Sequence, residues 1–266
     1  MTFFHLFILA IVQGITEFLP ISSSAHLVLV PRILGSQDQG LLMDVSVHVG
    51  TLLAVIVYFW RDLWQMSKAI ISRQNTPEHT QARHLFVGLV IATLPVVGIG
   101  YLFHMMFPEG IRSLHVIAWT TLIFGLLLWW SDRRGLTDKT LKKMSKYDAL
   151  VIGLAQILAL LPGTSRSGVT MTMARFLGFD RVSAARFSLL LGIPTIFGAG
   201  VLSFYDLYRL GDFQLGWDAF WAVILSFSVA VIAIAVMMRW LQKSNFTPFV
   251  FYRLILGFVL LTIIYL

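Results

Sequence analysis

Apolar residues run along this chain in long blocks, with most Lys and Arg held in the connections between them. Six blocks, roughly 41–60, 85–107, 114–130, 187–205, 217–239 and 249–266, are apolar enough to cross a hydrocarbon core of about 30 Å with modest tilt. Two further stretches, 3–34 and 149–178, are apolar but interrupted in the middle by polar clusters. The first interruption is Glu17-Phe18-Leu19-Pro20-Ile21-Ser22-Ser23-Ser24-Ala25-His26, and the second is Leu161-Pro162-Gly163-Thr164-Ser165-Arg166-Ser167-Gly168. Proline removes a backbone donor and ends a helix, while the Ser and Thr that follow can cap a new one. Each stretch therefore predicts a helix, a short break and a second helix.

The two breaks lie 142 residues apart, Leu19-Pro20 against Leu161-Pro162, and the same offset pairs Ser23 with Ser165 and Gly50 with Gly192. Each broken stretch is followed by three spans, so the chain divides near residue 140 into two units of one plan. If each broken stretch is a re-entrant hairpin, a unit crosses three times and the second unit must lie upside down relative to the first. The prediction is an all-α integral membrane protein, a polytopic helical bundle with two re-entrant helix hairpins and an inverted-topology internal repeat. It forms a single membrane domain over 1–266, with units of about 1–140 and 141–266.

Charge tests that topology, because short cytoplasmic loops collect Lys and Arg. With the N-terminus outside, the inner connections hold fifteen: Arg61, Lys68, Arg73 and Arg83, then Arg133, Arg134, Lys139, Lys142, Lys143 and Lys146, then Arg175, Arg181 and Arg186, then Arg239 and Lys243. The outer connections hold three, Arg32, Arg112 and Arg209, while Arg166 lies in a break and Arg253 in a span. The first hairpin then enters from outside, the second from the cytoplasm, and their tips meet near the midplane.

Composition agrees. Hydrophobic residues make up 58% and charged residues only 12%, about half the charged share of a soluble domain. The net charge of +7 is scattered over short connections, so it reads as a cytoplasmic-face bias and not as a nucleic-acid surface. With no cysteine, disulfides, thiolate metal sites and a Cys nucleophile are excluded. The apolar start and Ser22-Ser23-Ser24-Ala25 superficially resemble a signal peptide, but no Lys or Arg precedes Arg32, so this segment is expected to stay in the mature fold.

Non-helical backbone at membrane depth persists only when buried in protein or facing a water-filled cavity. Both breaks thus predict a hydrated cavity, with a helix N-terminus aimed at it from each side, the arrangement that binds anions. Arg166 adds a planar cationic fork suited to phosphate, and Thr164, Ser165, Ser167 and Thr170 add hydroxyl donors. Gln13 and Glu17 are four apart on one helix face, and Ser23 and His26 three apart on the next. A carboxylate, a hydroxyl and an imidazole around one break are the components of nucleophilic displacement with acid/base help. Glu17 can serve as a base or as an oxygen ligand for Mg²⁺ or Ca²⁺. His48, four residues after Asp44, either pairs with it at the outer end of a span or joins the cavity.

At these residues the chain resembles the undecaprenyl-diphosphate phosphatase family associated with bacitracin resistance. Gln13-Gly14-Ile15-Thr16-Glu17-Phe18-Leu19-Pro20-Ile21-Ser22-Ser23-Ser24-Ala25-His26 is similar to the family's Glu/Gln-x-x-x-Glu-Phe-Leu-Pro-(Ile/Val)-Ser-Ser motif with its following His. Pro162-Gly163-Thr164-Ser165-Arg166-Ser167-Gly168 is similar to its Pro-Gly-x-Ser-Arg-Ser-Gly motif, and the resemblance extends over the whole chain. It implies an enzyme of the bacterial plasma (inner) membrane that removes the terminal phosphate of undecaprenyl diphosphate, regenerating the carrier for peptidoglycan and conferring bacitracin resistance. By resemblance Glu17, Ser23, His26 and Arg166 fall on the family's proposed active-site positions, and Gln13, Ser22, Ser24, Thr164, Ser165, Ser167, Thr170 and His48 are the substrate-binding candidates. The first position of the acidic pair is Gln13, an option the family allows, so a two-carboxylate metal site does not follow.

Ser23 is the expected nucleophile, with Glu17 or His26 taking its proton and a divalent cation, Mg²⁺ or Ca²⁺, helping to neutralise the diphosphate. A variant makes His26 the nucleophile and Ser23 a phosphate ligand. The expected partners are the lipid substrate and the bilayer, with a second copy of the chain as a further candidate and no nucleic acid. The rival reading is a transporter or flippase of a prenyl phosphate lipid, since inverted repeats with broken helices are also a transporter plan.

Overall fold

A computed structural model describes residues 3–33, 35, 40–72, 76–107, 111, 113–134, 139–210 and 217–265. Of the charges used for orientation, Arg73 and Arg112 lie outside the described residues, as does the 135–138 stretch beside the expected unit boundary. Among the described residues eleven α-helices follow one another: α1 (Phe3–Thr16), α2 (Ser23–Ile33), α3 (Gly40–Tyr58), α4 (Trp60–Ile71), α5 (Pro77–Met106), α6 (Leu114–Arg134), α7 (Lys146–Gln156), α8 (Arg166–Phe176), α9 (Arg181–Leu210), α10 (Trp217–Leu241) and α11 (Thr247–Tyr265). Among the described residues there is no strand, only an isolated bridge between Lys139 and Phe179.

Among the described residues five helices, α5, α6, α9, α10 and α11, are long and apolar enough to cross a membrane, and α3 with α4 makes a sixth candidate across a 70° bend. Every apolar block of the sequence falls on one of these. Helix α4 was not anticipated, because it is short and amphipathic where the blocks are continuous. It buries Met66 and Ala69 and exposes Trp60 and Trp64, with Arg61 over the Trp60 ring at 5.5 Å and Lys68 over Trp64 at 5.1 Å. Aromatic rings beside cations suit a membrane–water interface. Arg83 of α5 donates to the Ala69 and Ser72 carbonyls at 2.6 and 2.5 Å, satisfying groups that a helix end leaves open.

Small residues let the helices approach closely, the usual basis of packing in lipid. A Cβ on Gly14 would lie 2.8 Å from Val229 of α10, one on Gly50 2.0 Å from the Ser226 hydroxyl of α10, and one on Gly153 2.5 Å from the Ala92 carbonyl of α5. Helix α1 thus packs on α10 as α7 packs on α5, while α3 meets both α9 and α10, and α6 meets α11.

The two breaks have matching backbones. Ser22 (φ 74°) and Ser165 (φ 69°) are the non-glycine residues at positive φ among those described, and each immediately precedes a helix. Such a conformation costs on the order of 1–3 kcal/mol and persists only where its surroundings impose it. Ser22 and Ser165 thus share a backbone conformation, one residue away from the offset of 142, since the second break has one more residue between its proline and that serine. Ser23 and Arg166 are the first residues of α2 and α8. Gly163 takes φ 88°, and a Cβ there would sit 2.1 Å from the Thr120 hydroxyl, so both conformation and space demand glycine. The breaks touch: Ser167 Oγ donates to the Leu19 carbonyl at 3.0 Å, and the Gly163 N–H donates to Ser24 Oγ at 3.3 Å.

Candidate active site

A cavity of about 400 Å³ opens where the breaks meet, lined by Glu17, Ser22, Ser23, Ser24, Asp44 and His48 from the first half of the chain and by Ser165, Arg166, Thr195 and Ser203 from the second. Glu17 directly follows α1 and stays buried because its carboxylate is engaged on several sides. Its Oε2 accepts from Gln13 Nε2 and from Ser23 Oγ, each at 2.9 Å. Arg166 Nη2 lies 3.5 Å from its Oε1, and His48 Nε2 lies 3.7 Å from its Oε2. The four-residue spacing of Gln13 and Glu17 puts both on one face of α1, as expected, and the break turns Ser23 back onto the carboxylate.

Arg166 emerges at the start of α8, with Cζ 5.9 Å from the Phe18 ring centroid and Nη1 3.5 Å from the Ser188 carbonyl. Gly192 makes room for it, since a Cβ at that position would lie 2.3 Å from Nη1. Ser165 caps α8 by accepting from the Gly168 N–H at 3.1 Å. Two helix starts, α2 and α8, and one guanidinium thus face a polar cavity, an arrangement built to hold an anion. Beside Arg166 stands the Ser23 hydroxyl, already donating to the Glu17 carboxylate, a pairing of nucleophile type with base type.

The residues expected from sequence separate into three groups. Gln13, Glu17, Ser22, Ser23, Ser24, His48, Ser165 and Arg166 surround or support the cavity. His48 joins it, with Nδ1 bonded to the Asp44 backbone carbonyl at 2.7 Å and Nε2 turned towards Glu17. Thr164, Ser167 and Thr170 are buried behind the lining, where Thr170 Oγ1 meets the Ser188 hydroxyl at 2.7 Å. His26 stands apart: it faces α11, with Nδ1 2.7 Å from the Ser22 carbonyl and Nε2 2.5 Å from the Tyr252 hydroxyl. Its ring stacks on Tyr252 at 5.6 Å, and it does not line the cavity.

Arg253, which the sequence puts within a span, reaches both breaks. Fully buried, it donates to the Thr121, Gly163, Thr164 and Pro20 carbonyls at 2.9–3.3 Å. The rule that marks an ionisable residue inside a membrane segment as functional would have found it. Asp44 and Thr195 also line the cavity, and no sequence spacing links Thr195 to the breaks.

Helices that cross a bilayer around a polar, anion-directed cavity define a polytopic membrane protein with an internal polar site. The sequence model described as Bacitracin resistance protein BacA matches residues 6–259, and the chain belongs to that family. Among its relatives are proteins named undecaprenyl-diphosphatase from Jannaschia sp., 50% identical with the whole of both chains covered, and from Ruegeria pomeroyi, 48% identical with the same coverage. One of the same name from Chromohalobacter salexigens is 46% identical over 98% of each chain. The family is one of bacterial membrane enzymes, which agrees with the run of apolar helices.

Proposed function

We propose that this protein hydrolyses undecaprenyl diphosphate to undecaprenyl phosphate and inorganic phosphate, recycling the lipid carrier of cell-wall synthesis. Three full-length relatives carry that activity in their names. The observation that carries the reading on this chain is the Ser23 hydroxyl donating to Glu17 at 2.9 Å inside a cavity that also holds Arg166. Transport alone would ask these groups only to bind, whereas a hydroxyl poised on a carboxylate is arranged for chemistry.

In the mechanism we favour, Arg166 and the N–H groups that open α2 and α8 hold the diphosphate oxygens. Ser23 Oγ attacks the terminal phosphorus as Glu17 takes its proton. The bond from that phosphorus to the bridging oxygen breaks and undecaprenyl phosphate leaves with the proton that Glu17 gives back; water then attacks the Ser23 phosphoester, Glu17 taking its proton and returning it to Ser23 Oγ as phosphate departs. Phosphoryl transfer depends mainly on positioning and charge stabilisation, which this set of groups supplies. His26, with both ring nitrogens engaged outside the lining, acts in this reading by holding the Ser22 carbonyl and so the start of α2.

Among the described residues no three His, Asp or Glu side chains are grouped to hold a metal by themselves. Glu17 and Asp44 line one cavity, however, and one or two carboxylates plus substrate phosphate oxygens is the usual mode for Mg²⁺. They would hold such a cation, which would neutralise diphosphate charge.

The inverted repeat and the two re-entrant hairpins belong to the same proposal. They are supported by the matching backbones at Ser22 and Ser165 and by the exchange of α1 on α10 for α7 on α5. The cavity then opens to the outer side of the membrane, with Lys143 inside and Arg209 outside. Single cysteines in this naturally Cys-free chain test the orientation: reaction at position 143 from outside would overturn it. For the activity, purified protein should release phosphate from undecaprenyl diphosphate and form a trappable phosphoserine at Ser23. A phosphorylated residue elsewhere would refute the assigned nucleophile, and intact lipid binding without release would favour the transporter reading.

A further inference from the structure

Arg253 is the only charged side chain on α11, and it is buried with only backbone carbonyls as its acceptors among the described residues. Its Nη1 and Nη2 each lie 3.0 Å from the Thr164 carbonyl, with Nη2 also 2.9 Å from Gly163, Nη1 3.3 Å from Pro20 and Nε 3.1 Å from Thr121. Joining the two breaks does not require a cation, because the neutral hydroxyls of Ser24 and Ser167 already bridge them. Taking an ion out of water costs several kcal/mol even after relaxation, so a charge kept here points to an anion nearby.

The direction of the peptides says where. A trans peptide is planar, with its C=O and N–H pointing opposite ways, and no described peptide is cis. A carbonyl turned onto Arg253 therefore sends the following N–H away from it. After Pro20 and Gly163 that N–H is used within the turn, Ile21 to the Leu19 carbonyl at 2.7 Å and Thr164 to the Leu161 carbonyl at 3.3 Å. After Thr164 it is the N–H of Ser165, a cavity-lining residue at φ 69°, which has no protein acceptor among the described residues. Gly168 leaves the space that this clamp needs, since a Cβ there would lie 2.8 Å from Arg253 Nη1.

We infer that Arg253 is a positioning residue for an oxyanion hole: it holds the Thr164–Ser165 peptide with the Ser165 N–H turned to the transferring phosphoryl group and places a positive charge behind that donor. The inference rests on the phosphatase reading and adds to it a residue outside the cavity that acts on the transition state.

The test compares wild type, Arg253→Lys and Arg253→Met in lipid nanodiscs, reading kcat and KM for phosphate release, inhibition by orthovanadate as a mimic of the five-coordinate phosphoryl group, and the melting temperature. Losing one oxyanion donor costs roughly 10²–10³ in kcat. Arg253→Met should therefore lose at least about a hundredfold in kcat with KM within about threefold, and vanadate inhibition should weaken by a similar factor. Arg253→Lys, which keeps the charge but cannot span four carbonyls, should recover part of that loss. An unchanged kcat per folded molecule, or unchanged vanadate inhibition, would overturn the inference. If Arg253→Met does not fold, Arg253→Lys decides alone, and wild-type kcat in that variant refutes the clamp. Should wild type release no phosphate, the phosphatase reading fails separately. The clamp is then judged by calorimetry with methylenediphosphonate, whose binding must be present in wild type and weakened at least tenfold in the variant, and any other result overturns it.

Discussion

Replacing Glu17 by Gln keeps the size of the side chain and removes its charge, at the point where the proposed nucleophile is activated. Ser23 Oγ donates to Glu17 Oε2 at 2.9 Å, so the carboxylate is within reach of the proton it must take. General-base assistance contributes about 10²–10⁴-fold, equivalent to about 2.7–5.4 kcal/mol of barrier. An amide oxygen can still accept from Ser23 but cannot take its proton, so the loss should fall on kcat. Substrate binding should move the other way, because Arg166 Nη2, 3.5 Å from Glu17 Oε1, loses an internal competitor for the diphosphate. KM is expected to stay level or fall. Breaking a fully buried ion pair costs about 3–5 kcal/mol, but Arg166 opens onto the cavity, and a smaller drop in melting temperature is expected. Steady-state phosphate release from undecaprenyl diphosphate, with kcat and KM resolved, is the assay. A Glu17→Gln protein with kcat within fivefold of wild type would refute Glu17 as the base, and a raised KM with unchanged kcat would make it a binding group only.

Three further outcomes follow from the geometry. Gly192→Ala places a Cβ 2.3 Å from Arg166 Nη1, so the guanidinium must leave its seat; losing a charge-assisted hydrogen bond worth about 1.5–3 kcal/mol should raise KM by roughly ten- to a hundredfold, and an unchanged KM would mean that Arg166 does not hold the diphosphate. Asp132 accepts from Arg181 at 2.7 Å and the Phe246 N–H at 3.1 Å, with Arg175 at 3.2 Å, joining α6, α8, α9 and the turn before α11. Asp132→Ala should lower stability by about 3–5 kcal/mol while activity per folded molecule survives, as read by thermal melting against specific activity. The Asp148 carboxyl is subject first to burial, which raises its pKa, but hydrogen bonds from Lys139 at 2.6 Å and from the Ser145 N–H and hydroxyl at 2.8 and 2.7 Å win and hold it below the usual carboxylate range. Its contribution is present above the unfolded value of about 3.9 and is lost as pH falls through the lower folded value, so the stability gap between wild type and Asp148→Asn should be constant near neutrality and close in acid. A gap that grows in acid would show the opposite sign.

How far the sequence reached depended on the range of the forces involved. The apolar blocks, the two proline breaks and the Gln13–Glu17 pair were legible because span length, helix termination and four-residue spacing are local properties. Helix α4 was missed because its apolar surface is a narrow stripe, and a residue-by-residue hydropathy block does not register a stripe. Which serine of each break takes positive φ was not legible, because the neighbouring peptides decide that. His26 and Ser23 are three apart and share a face of α2 in principle, yet the rotation of that helix sends one side chain to Tyr252 and the other to Glu17.

By itself, then, the sequence determined that the protein is a helical membrane bundle, that its helices break at two polar points, and which residue types gather at each break. These follow from the cost of unsatisfied backbone and of charge in hydrocarbon, which every segment meets on its own. Only the tertiary structure decided which groups of the two breaks bond to one another, that Ser23 and Arg166 each open a helix beside one carboxylate, and that Arg253 binds both loops from 89 to 233 residues away along the chain. Those outcomes depend on how α6, α8 and α11 pack against one another, and packing between distant segments is set by the shape of the whole bundle, which no local pattern encodes.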